Sequence, residues 1–215
     1  MYKAVIFDLD GTLLDSLNDI LHVLNNTLTH FNLPQITRMQ AQSYIGNGAK
    51  ELVRLAIGVE NAHRLDEILS YYKKKYAISD NALSRIFDGE DETLTALKDN
   101  GVKLAVLTNK PHAAAMRAND IFFKNYEFDC IVGQTDGVPL KPNPQAVYNI
   151  LEELGVKKEE CLFVGDGEAD VATAKNAGLD CVSVLWGYRS KEQLKAAGAT
   201  RFAENFEKLQ HEILG

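Results

Sequence analysis

Pairs of aspartate residues follow two short apolar segments of the 215-residue chain. Asp8 and Asp10 follow the run AVIF, and Asp166 and Asp170 follow the run CLFV. If both runs are parallel strands of one sheet, all four carboxyl groups reach the edge where open α/β sheets bind ligands. Like charges about 4 Å apart repel by roughly 4 kcal/mol at an effective dielectric near 20, so such a cluster needs a cation or a shared proton.

The donor types in these motifs favour Mg²⁺ as the cofactor. Oxygen ligands at a strand edge, with neither His nor Cys among them, suit a hard divalent ion that keeps several waters. The histidines of the chain show no ligand spacing, and neither do its cysteines. The sequence therefore predicts a carboxylate magnesium site.

Neutral and cationic donors stand near the same predicted edge. Thr108 and Asn109 follow the apolar run KLAVL, and Lys141 lies in the loop sequence KPNP between two further predicted strands. A phosphoryl group needs cations and hydrogen-bond donors around its negative oxygens. Together with a metal, these residues predict a phosphoryl-group site.

The elements that must position these residues alternate along the chain, as in a parallel sheet with helices on both faces. Five strands are predicted, at residues 4–7, 102–107, 130–132, 161–164 and 181–185. Helices are predicted at residues 91–100, 111–120, 144–154, 168–177 and 204–214. The expected fold class is therefore α/β, with an open parallel Rossmann-like sheet.

The alternation fails once, between Ser16 and Asp80, where apolar residues follow helical spacing without a convincing strand. We interpret this stretch as an inserted all-helical domain of about four helices. The predicted division is an α/β core of residues 1–15 and 81–215 and a helical insert of residues 16–80. The connections near Ser16 and between Asp80 and Gly89 are the expected hinges.

Composition excludes several classes of partner. Lys and Arg number 23 and Asp and Glu number 30, which gives a formal net charge of −7 that repels nucleic acid. No segment approaches the roughly 18 apolar residues that a membrane span requires, and no export signal is visible. The odd number of cysteines, Cys130, Cys161 and Cys181, predicts reduced thiols in a cytoplasmic protein.

Four segments, in order, resemble the four motifs of the haloacid dehalogenase superfamily. They are DLDGTLLDS at 8–16, TN at 108–109, KPNP at 141–144 and GDGEAD at 165–170. The predicted insert also lies where that superfamily places its helical type-1 cap. The resemblance therefore covers nearly the whole chain and implies phosphoryl-transfer chemistry on a small phosphorylated metabolite.

The resemblance implies different tasks for the aspartates. Asp8 is expected to be the nucleophile that forms an aspartyl-phosphate, and Asp10 the general acid and then base. Asp8, the backbone carbonyl of Asp10, and Asp166 are expected to hold Mg²⁺, with Asp170 in support. Such an enzyme would hydrolyse phosphate monoesters.

The remaining motif residues are expected to bind the phosphate. Thr108 and Lys141 would contact the transferring oxygens, while Asn109 would shape the pocket beside them. The insert segment IGNGAK resembles a cap loop that descends toward the substrate, and Lys50 at its end is a candidate contact for a substrate anion. Trp186 and Tyr188 follow the last predicted strand and are candidates for the substrate entrance, although packing against the core is the favoured interpretation of both.

Within the superfamily, the sequence most resembles the phosphoglycolate phosphatase group, which implies a phosphoglycolate-like substrate. One departure is Gly167, where many members of that group have Ser. A sugar phosphomutase of the same superfamily is the alternative, and a non-catalytic phosphate-binding module is a third hypothesis. The presence of Asp8, Asp10 and Asp166 argues against the third, and the acid at Asp10 argues against a dehalogenase.

Overall fold

A six-stranded parallel sheet forms the centre of the chain in the computed structural model, which describes residues 1–215. The eight strands, in chain order, are β1 (Ala4–Phe7), β2 (Leu14–Asp15), β3 (Arg85–Ile86), β4 (Lys103–Pro111), β5 (Cys130–Gln134), β6 (Cys161–Gly165), β7 (Asp180–Val184) and β8 (Phe202–Ala203). The large sheet has the order β5-β4-β1-β6-β7-β8, and every neighbouring pair in it is parallel. The first predicted strand therefore lies inside the sheet, between β4 and β6.

Ten α-helices accompany the strands. They are α1 (Leu17–His30), α2 (Arg38–Tyr44), α3 (Gly48–Ile57), α4 (Leu65–Ala77), α5 (Glu90–Asp99), α6 (His112–Ala118), α7 (Gln145–Leu154), α8 (Glu168–Ala177), α9 (Lys191–Ala196) and α10 (Phe206–Leu214). None of them combines the length and apolar character needed to cross a lipid bilayer.

The sheet has apolar side chains on both faces, because alternate residues of a strand point in opposite directions. In β1, Val5 and Phe7 join a buried cluster with residues of α5 and α10, whereas Ala4 and Ile6 join a second cluster with residues of α7 and α8. All four β1 side chains are fully buried. The prediction of helices on both faces of a parallel sheet is confirmed.

The four helices α1 to α4 form a helical insert between β2 and β3, as the spacing of apolar residues predicted. They surround a separate buried cluster that includes Leu24, Leu28, Ile68 and Tyr72. The two connections to this insert pair with each other as an antiparallel ladder, since Leu14 lies opposite Ile86. This two-residue ladder was not predicted, because such short strands carry no periodicity.

Three other elements differ from the sequence expectation. Strand β4 continues past Leu107 to Pro111 with an irregular register against β5, so the polar segment TNK belongs to the strand. The helix predicted at 111–120 ends at Ala118 and continues as a π-helical turn. Both β8 and α9 were missed, although the capping box between Ser190 and Gln193 marks the start of α9.

Candidate active site

The carboxyl edge of the sheet brings together three of the four aspartates that were expected to cluster there. Asp8 follows β1, Asp166 follows β6, and Asp170 lies in the first turn of α8. Strands β1 and β6 are parallel neighbours in register, and the backbone N–H of Asp8 donates to the carbonyl of Val164 at 2.8 Å. One carboxylate oxygen from each aspartate lies within 4.8 Å of the others.

The Asp166 side chain is held on two sides. The backbone N–H of Tyr188 donates to its Oδ2 at 2.7 Å, and Thr12 Oγ1 donates to its Oδ1 at 3.2 Å. Two glycines leave room for it: a Cβ on Gly187 would lie 2.2 Å from Asp166 Cβ, and one on Gly11 would lie 2.4 Å from Oδ2. Gly11 also has a φ of 87°, which disfavours any other residue there.

Lys141 is the buried cation of this cluster. Its Nζ lies 2.6 Å from Asp170 Oδ1 and 2.8 Å from Asp8 Oδ1. Burial lowers the pKa of Lys141, but the carboxylates of Asp170 and Asp8 outweigh burial and raise that pKa above its ordinary value. Lys141 is therefore a fixed positive charge beside the predicted nucleophile.

One lysine does not compensate the three clustered carboxylates, of which Asp166 and Asp170 are buried and Asp8 is partly buried. Burial raises the pKa of Asp8 to about 7, although Lys141 acts to lower it. Burial also raises the pKa of Asp166 to about 8, and the carboxylates of Asp8 and Asp170 add to that increase. The contact of Lys141 with Asp8 Oδ1 is an ion pair outside hydrogen-bond geometry, so this buried oxygen accepts no hydrogen bond. The oxygen-only donor set and its uncompensated charge fit a hard divalent cation.

The Asp10 carboxylate lies apart from the acidic cluster. Its Oδ1 accepts from Ser16 Oγ at 2.5 Å and from Lys110 Nζ at 2.6 Å. Its side chain is therefore not among the clustered ligand atoms, and the expectation of a four-carboxylate cluster was wrong for Asp10, because Ser16 and Lys110 hold its carboxylate instead. Asp8 and Asp10, two positions apart after β1, thus have different surroundings, which suit different chemical tasks.

Of the two polar residues after the run KLAVL, Thr108 is better placed to bind phosphate than Asn109. Thr108 is buried at the cavity, and its Oγ1 accepts from Lys110 N at 3.2 Å, which leaves its own proton free to donate. The Asn109 amide donates to the carbonyls of Gly46 at 2.9 Å and Lys141 at 3.2 Å, and its Oδ1 accepts from Lys141 N at 2.9 Å. Both amide protons and the oxygen of Asn109 are thus engaged within the protein, which favours the expected task of shaping the pocket over a direct phosphate contact.

A cavity of about 520 Å³ separates the sheet edge from the helical insert. The sheet side carries the charged residues described above. The insert side is lined by apolar, aromatic and amide side chains, among them Ile20, Gln42, Ile45, Leu52, Tyr72 and Tyr76. Lys50 is exposed on α3 and does not line the cavity, so the structure does not bring it to the site.

Arg189 is a residue of the site that sequence reasoning gave no task, whereas Tyr188 lines the cavity, as its candidate role at the substrate entrance required. Arg189 donates to the carbonyls of Gln42 and Ile45, both at 2.8 Å, and pairs with Glu168 at 2.9 Å. These bonds attach the end of α2 and the loop before α3 to the sheet domain. The position of Arg189 in the segment after β7 was the available signal for its role.

Trp186 packs against Phe206 with ring centroids 4.5 Å apart, as expected.

Gly167 begins α8 without a capping side chain. Its N–H donates to Asp170 Oδ2 at 2.9 Å, which orients that carboxylate toward the cluster. A Cβ on Gly167 would lie 3.4 Å from Asp170 Oδ2, an ordinary contact. The difference from Ser-bearing relatives therefore leaves the acidic cluster in place.

This combination of parallel sheet, helical insert and acidic strand ends defines a hydrolase of the haloacid dehalogenase-like family, to which the chain belongs. The profile of the haloacid dehalogenase-like hydrolases matches residues 5–184. The resemblance predicted from the four motifs is confirmed.

Several relatives of the chain are named phosphoglycolate phosphatases. The chain is 33% identical over 213 residues to phosphoglycolate phosphatase 1 of Pseudomonas aeruginosa, covering 96% of this chain and 78% of that protein. It is 35% identical over 186 residues to the phosphoglycolate phosphatase of Aquifex aeolicus, covering 86% of each. A crystal structure of a predicted phosphoglycolate phosphatase from Haemophilus somnus superimposes with a TM-score of 0.83 at 27% identity, covering 98% of this chain and 97% of that one.

Proposed function

We propose that this protein is a Mg²⁺-dependent phosphatase of small phosphate monoesters that forms an aspartyl-phosphate on Asp8. The observation that carries the proposal is the difference in surroundings between Asp8 and Asp10, the two aspartates that follow β1. Asp8 lies in the acidic cluster beside Lys141, while Asp10 is held 2.6 Å from Lys110 outside that cluster. A nucleophile and an acid-base group need such different surroundings.

In the first step, a carboxylate oxygen of Asp8 attacks the phosphorus of the substrate. The P–O bond to the alcohol breaks, and Asp10 gives its proton to the departing oxygen. Lys141 and the Thr108 hydroxyl bind the transferring oxygens, whose negative charge they offset. The products of this step are the free alcohol and the aspartyl-phosphate.

In the second step, water attacks the phosphorus of the aspartyl-phosphate. Asp10, now ionised, takes a proton from that water, and the bond between phosphorus and the Asp8 oxygen breaks. Inorganic phosphate leaves, and both aspartates return to their starting states. Asp10 therefore serves as acid and then as base.

The metal would be held by Asp8, Asp166 and the backbone carbonyl of Asp10, with Asp170 in support. When bound, Mg²⁺ supplies the positive charge that lets a carboxylate approach an anionic phosphate. The acidic cluster supports this assignment, because its charge exceeds what Lys141 offsets.

The relatives support a phosphoglycolate-like substrate. The cavity of about 520 Å³ has room for a small phosphate ester, and the N-terminal end of α3 at Gly48 lines it. Free backbone N–H groups at a helix start attract a carboxylate such as that of glycolate.

The three cysteines, none of which forms a disulfide, favour the cytoplasm as the location.

The roles of the two aspartates are tested by Asp8→Asn and Asp10→Asn. Asp8→Asn should abolish turnover and any covalent phosphoenzyme, because an amide is too poor a nucleophile. Asp10→Asn should still accept phosphate from 4-nitrophenyl phosphate, whose leaving group needs no acid, and then stall as the aspartyl-phosphate. Mass spectrometry after a brief reaction would locate the adduct on the peptide containing Asp8.

The matched control is Asp99→Asn, since Asp99 is exposed at the end of α5 and does not line the cavity. An adduct on another residue would contradict the assignment. Assays on phosphoglycolate and on sugar phosphates distinguish the alternatives. Phosphate release supports the phosphatase, whereas sugar-phosphate isomerisation without phosphate release identifies the phosphomutase, and no turnover of any ester identifies a binding module.

A further inference from the structure

Lys110 is a buried lysine that the two-step reaction above leaves without a task. Its side chain is 1% exposed at the end of β4, and its Nζ donates to Asp10 Oδ1 at 2.6 Å. It is the one cationic side chain in contact with Asp10. Burial of an ammonium group is unfavourable unless partners compensate its charge, so the partners of Lys110 indicate its role.

The helical insert supplies the second partner of Lys110. Nζ donates to the hydroxyl of Tyr76, a buried residue in the last turn of α4, and lies 4.5 Å from the centroid of the Tyr76 ring. The ammonium is thus fixed between a sheet residue, Asp10, and an insert residue, Tyr76. No other hydrogen bond joins α4 to the strand that carries Lys110.

The contacts of Asp10 are asymmetric. Oδ1 accepts both from Lys110 and from Ser16, whereas no protein group donates to Oδ2. Asp10 lines the cavity, so the oxygen without a partner is the one available to exchange a proton with substrate. A carboxylate held by one oxygen keeps a single rotamer and presents the other oxygen in a fixed direction.

We propose that Lys110, held in place by Tyr76, is a positioning residue that orients the Asp10 carboxylate for its proton transfers. The insert then contributes to acid-base catalysis through Tyr76. This inference rests on the proposed function, because it takes Asp10 as the acid and base. It predicts that the loss of Lys110 slows those steps that need a proton from Asp10 and spares those that do not.

The test compares Lys110→Met and Tyr76→Phe with the parent enzyme in single-turnover reactions at saturating Mg²⁺ and substrate. The substrates are phosphoglycolate, whose alcohol needs an acid, and 4-nitrophenyl phosphate, whose phenolate does not. We expect Lys110→Met to slow release of the alcohol about 100-fold and release of nitrophenol less than about threefold, within the range that acid-base catalysis supplies. Tyr76→Phe should give the same selectivity with about a tenfold loss, the size expected for one hydrogen bond to a charged group.

Two control variants accompany these. Tyr71→Phe removes a hydroxyl from the same helix on a side chain that stacks on His30 away from the cavity, and it should match the parent with both substrates. Lys110→Arg keeps the charge and should recover part of the rate with phosphoglycolate. If Lys110→Met fails to fold, as judged by circular dichroism, the isosteric Tyr76→Phe still decides the question.

Two outcomes would overturn the inference. Equal slowing with both substrates would show a structural role, and a raised KM for phosphoglycolate with an unchanged single-turnover rate would show that Lys110 binds the substrate anion instead. The double variant Asp10→Asn with Lys110→Met should be no slower than Asp10→Asn alone, because Lys110 acts through Asp10. If Asp10→Asn itself shows no preference for the good leaving group, the proposed role of Asp10 fails; if only Lys110→Met lacks that preference, the failure belongs to Lys110 alone.

Discussion

The phenol oxygen of Tyr188 accepts a hydrogen bond from the backbone N–H of Ser16 at 2.8 Å. It accepts a second from the backbone N–H of Leu17 at 3.0 Å, at the start of the helical insert. The backbone N–H of the same tyrosine donates to Asp166. Tyr188 therefore connects the acidic cluster with Ser16 and Leu17, where the chain enters the helical insert.

Replacing Tyr188 by Phe should loosen that linker and leave the acidic cluster intact. Two buried N–H groups lose their acceptor, so we expect the free energy of unfolding to fall by about 1–3 kcal/mol. Mg²⁺ affinity should stay near the parent value, because the bond to Asp166 comes from the backbone. Urea denaturation and calorimetric titration measure the two quantities. Tyr148→Phe, at a tyrosine that is 44% exposed, is the control, and equal losses in both variants would contradict the expectation.

The acidic cluster predicts a metal requirement that depends on pH. Activity should vanish with EDTA and return with Mg²⁺, and Asp166→Asn should weaken Mg²⁺ binding by at least about tenfold. Because the pKa values of Asp8 and Asp166 are raised to about 7 and about 8 in the metal-free protein, binding displaces protons and should tighten as pH rises from 6 to 8. Calorimetry in buffers of different ionisation enthalpy detects the released protons. Full turnover in metal-free buffer would refute this prediction.

Gly11→Ala and Gly137→Ala form a matched pair for the packing around Asp166. The two glycines have φ values of 87° and 84°, so alanine strains both backbones by a similar amount, about 1 kcal/mol. A Cβ on Gly11 meets Asp166 Oδ2, whereas a Cβ on Gly137 meets nothing within 4 Å. Thermal unfolding should therefore show losses in both variants, and Mg²⁺ affinity should fall only in Gly11→Ala. Unchanged affinity there would mean that Asp166 can move aside.

Glu90 is a buried acid outside the site. It is 1% exposed, its Oε1 has no partner, and burial raises its pKa to about 9. Since the unfolded chain ionises this group near pH 4.5, unfolding releases a proton, and its contribution to stability is lost as pH rises toward 9. The expected slope from this one group is at most about 1.4 kcal/mol per pH unit.

Glu90→Gln should remove this dependence. Its free energy of unfolding should fall less than that of the parent between pH 5 and 9, as measured by urea denaturation at fixed Mg²⁺. The exposed Glu92, in the same helix turn, supplies the control variant Glu92→Gln. Parallel stability curves for the parent and Glu90→Gln would show that Glu90 is ionised in the folded protein.

The antiparallel pairing of β2 with β3, the two connections to the helical insert, allows the insert to be removed. We propose domain boundaries at residues 15/16 and 80/81, and Leu14 and Ile86 remain opposite each other when residues 17–79 are replaced by a short linker. The sheet domain should then fold and lose the selectivity of the parent among phosphate esters. Values of kcat/KM over a panel of esters give the test, and an unchanged ranking would show that specificity does not come from the insert.

The sequence was most informative about residues that lie at the carboxyl ends of predicted parallel strands. Asp8 and Asp166 could be placed at one edge because each follows an apolar run predicted as a strand of one parallel sheet, whose carboxyl ends share an edge. That β1 and β6 are direct neighbours could not be predicted, since they lie about 150 residues apart in the chain. Lys110 could not be assigned in this way. It lies where β4 becomes irregular, and its partners Asp10 and Tyr76 are 100 and 34 residues away, so no periodicity relates them.

The same limit applies to the cavity. Helical spacing predicted α1 to α4 but does not indicate which face of the insert meets the sheet. Lys50 was chosen for its charge near a glycine-rich loop, yet the helix turns it to solvent. Arg189 meets the loop through backbone carbonyls, which every residue carries, so its partners have no sequence signature.

The position of Trp186 gives the protein an intrinsic optical reporter. It is the single tryptophan of the chain, and its indole N–H donates to the carbonyl of Thr12 at 3.0 Å. Thr12 in turn donates its hydroxyl to Asp166. The tryptophan fluorescence of the native protein therefore originates two hydrogen bonds from a proposed metal ligand, and we expect its emission spectrum to follow metal loading in real time without any attached dye.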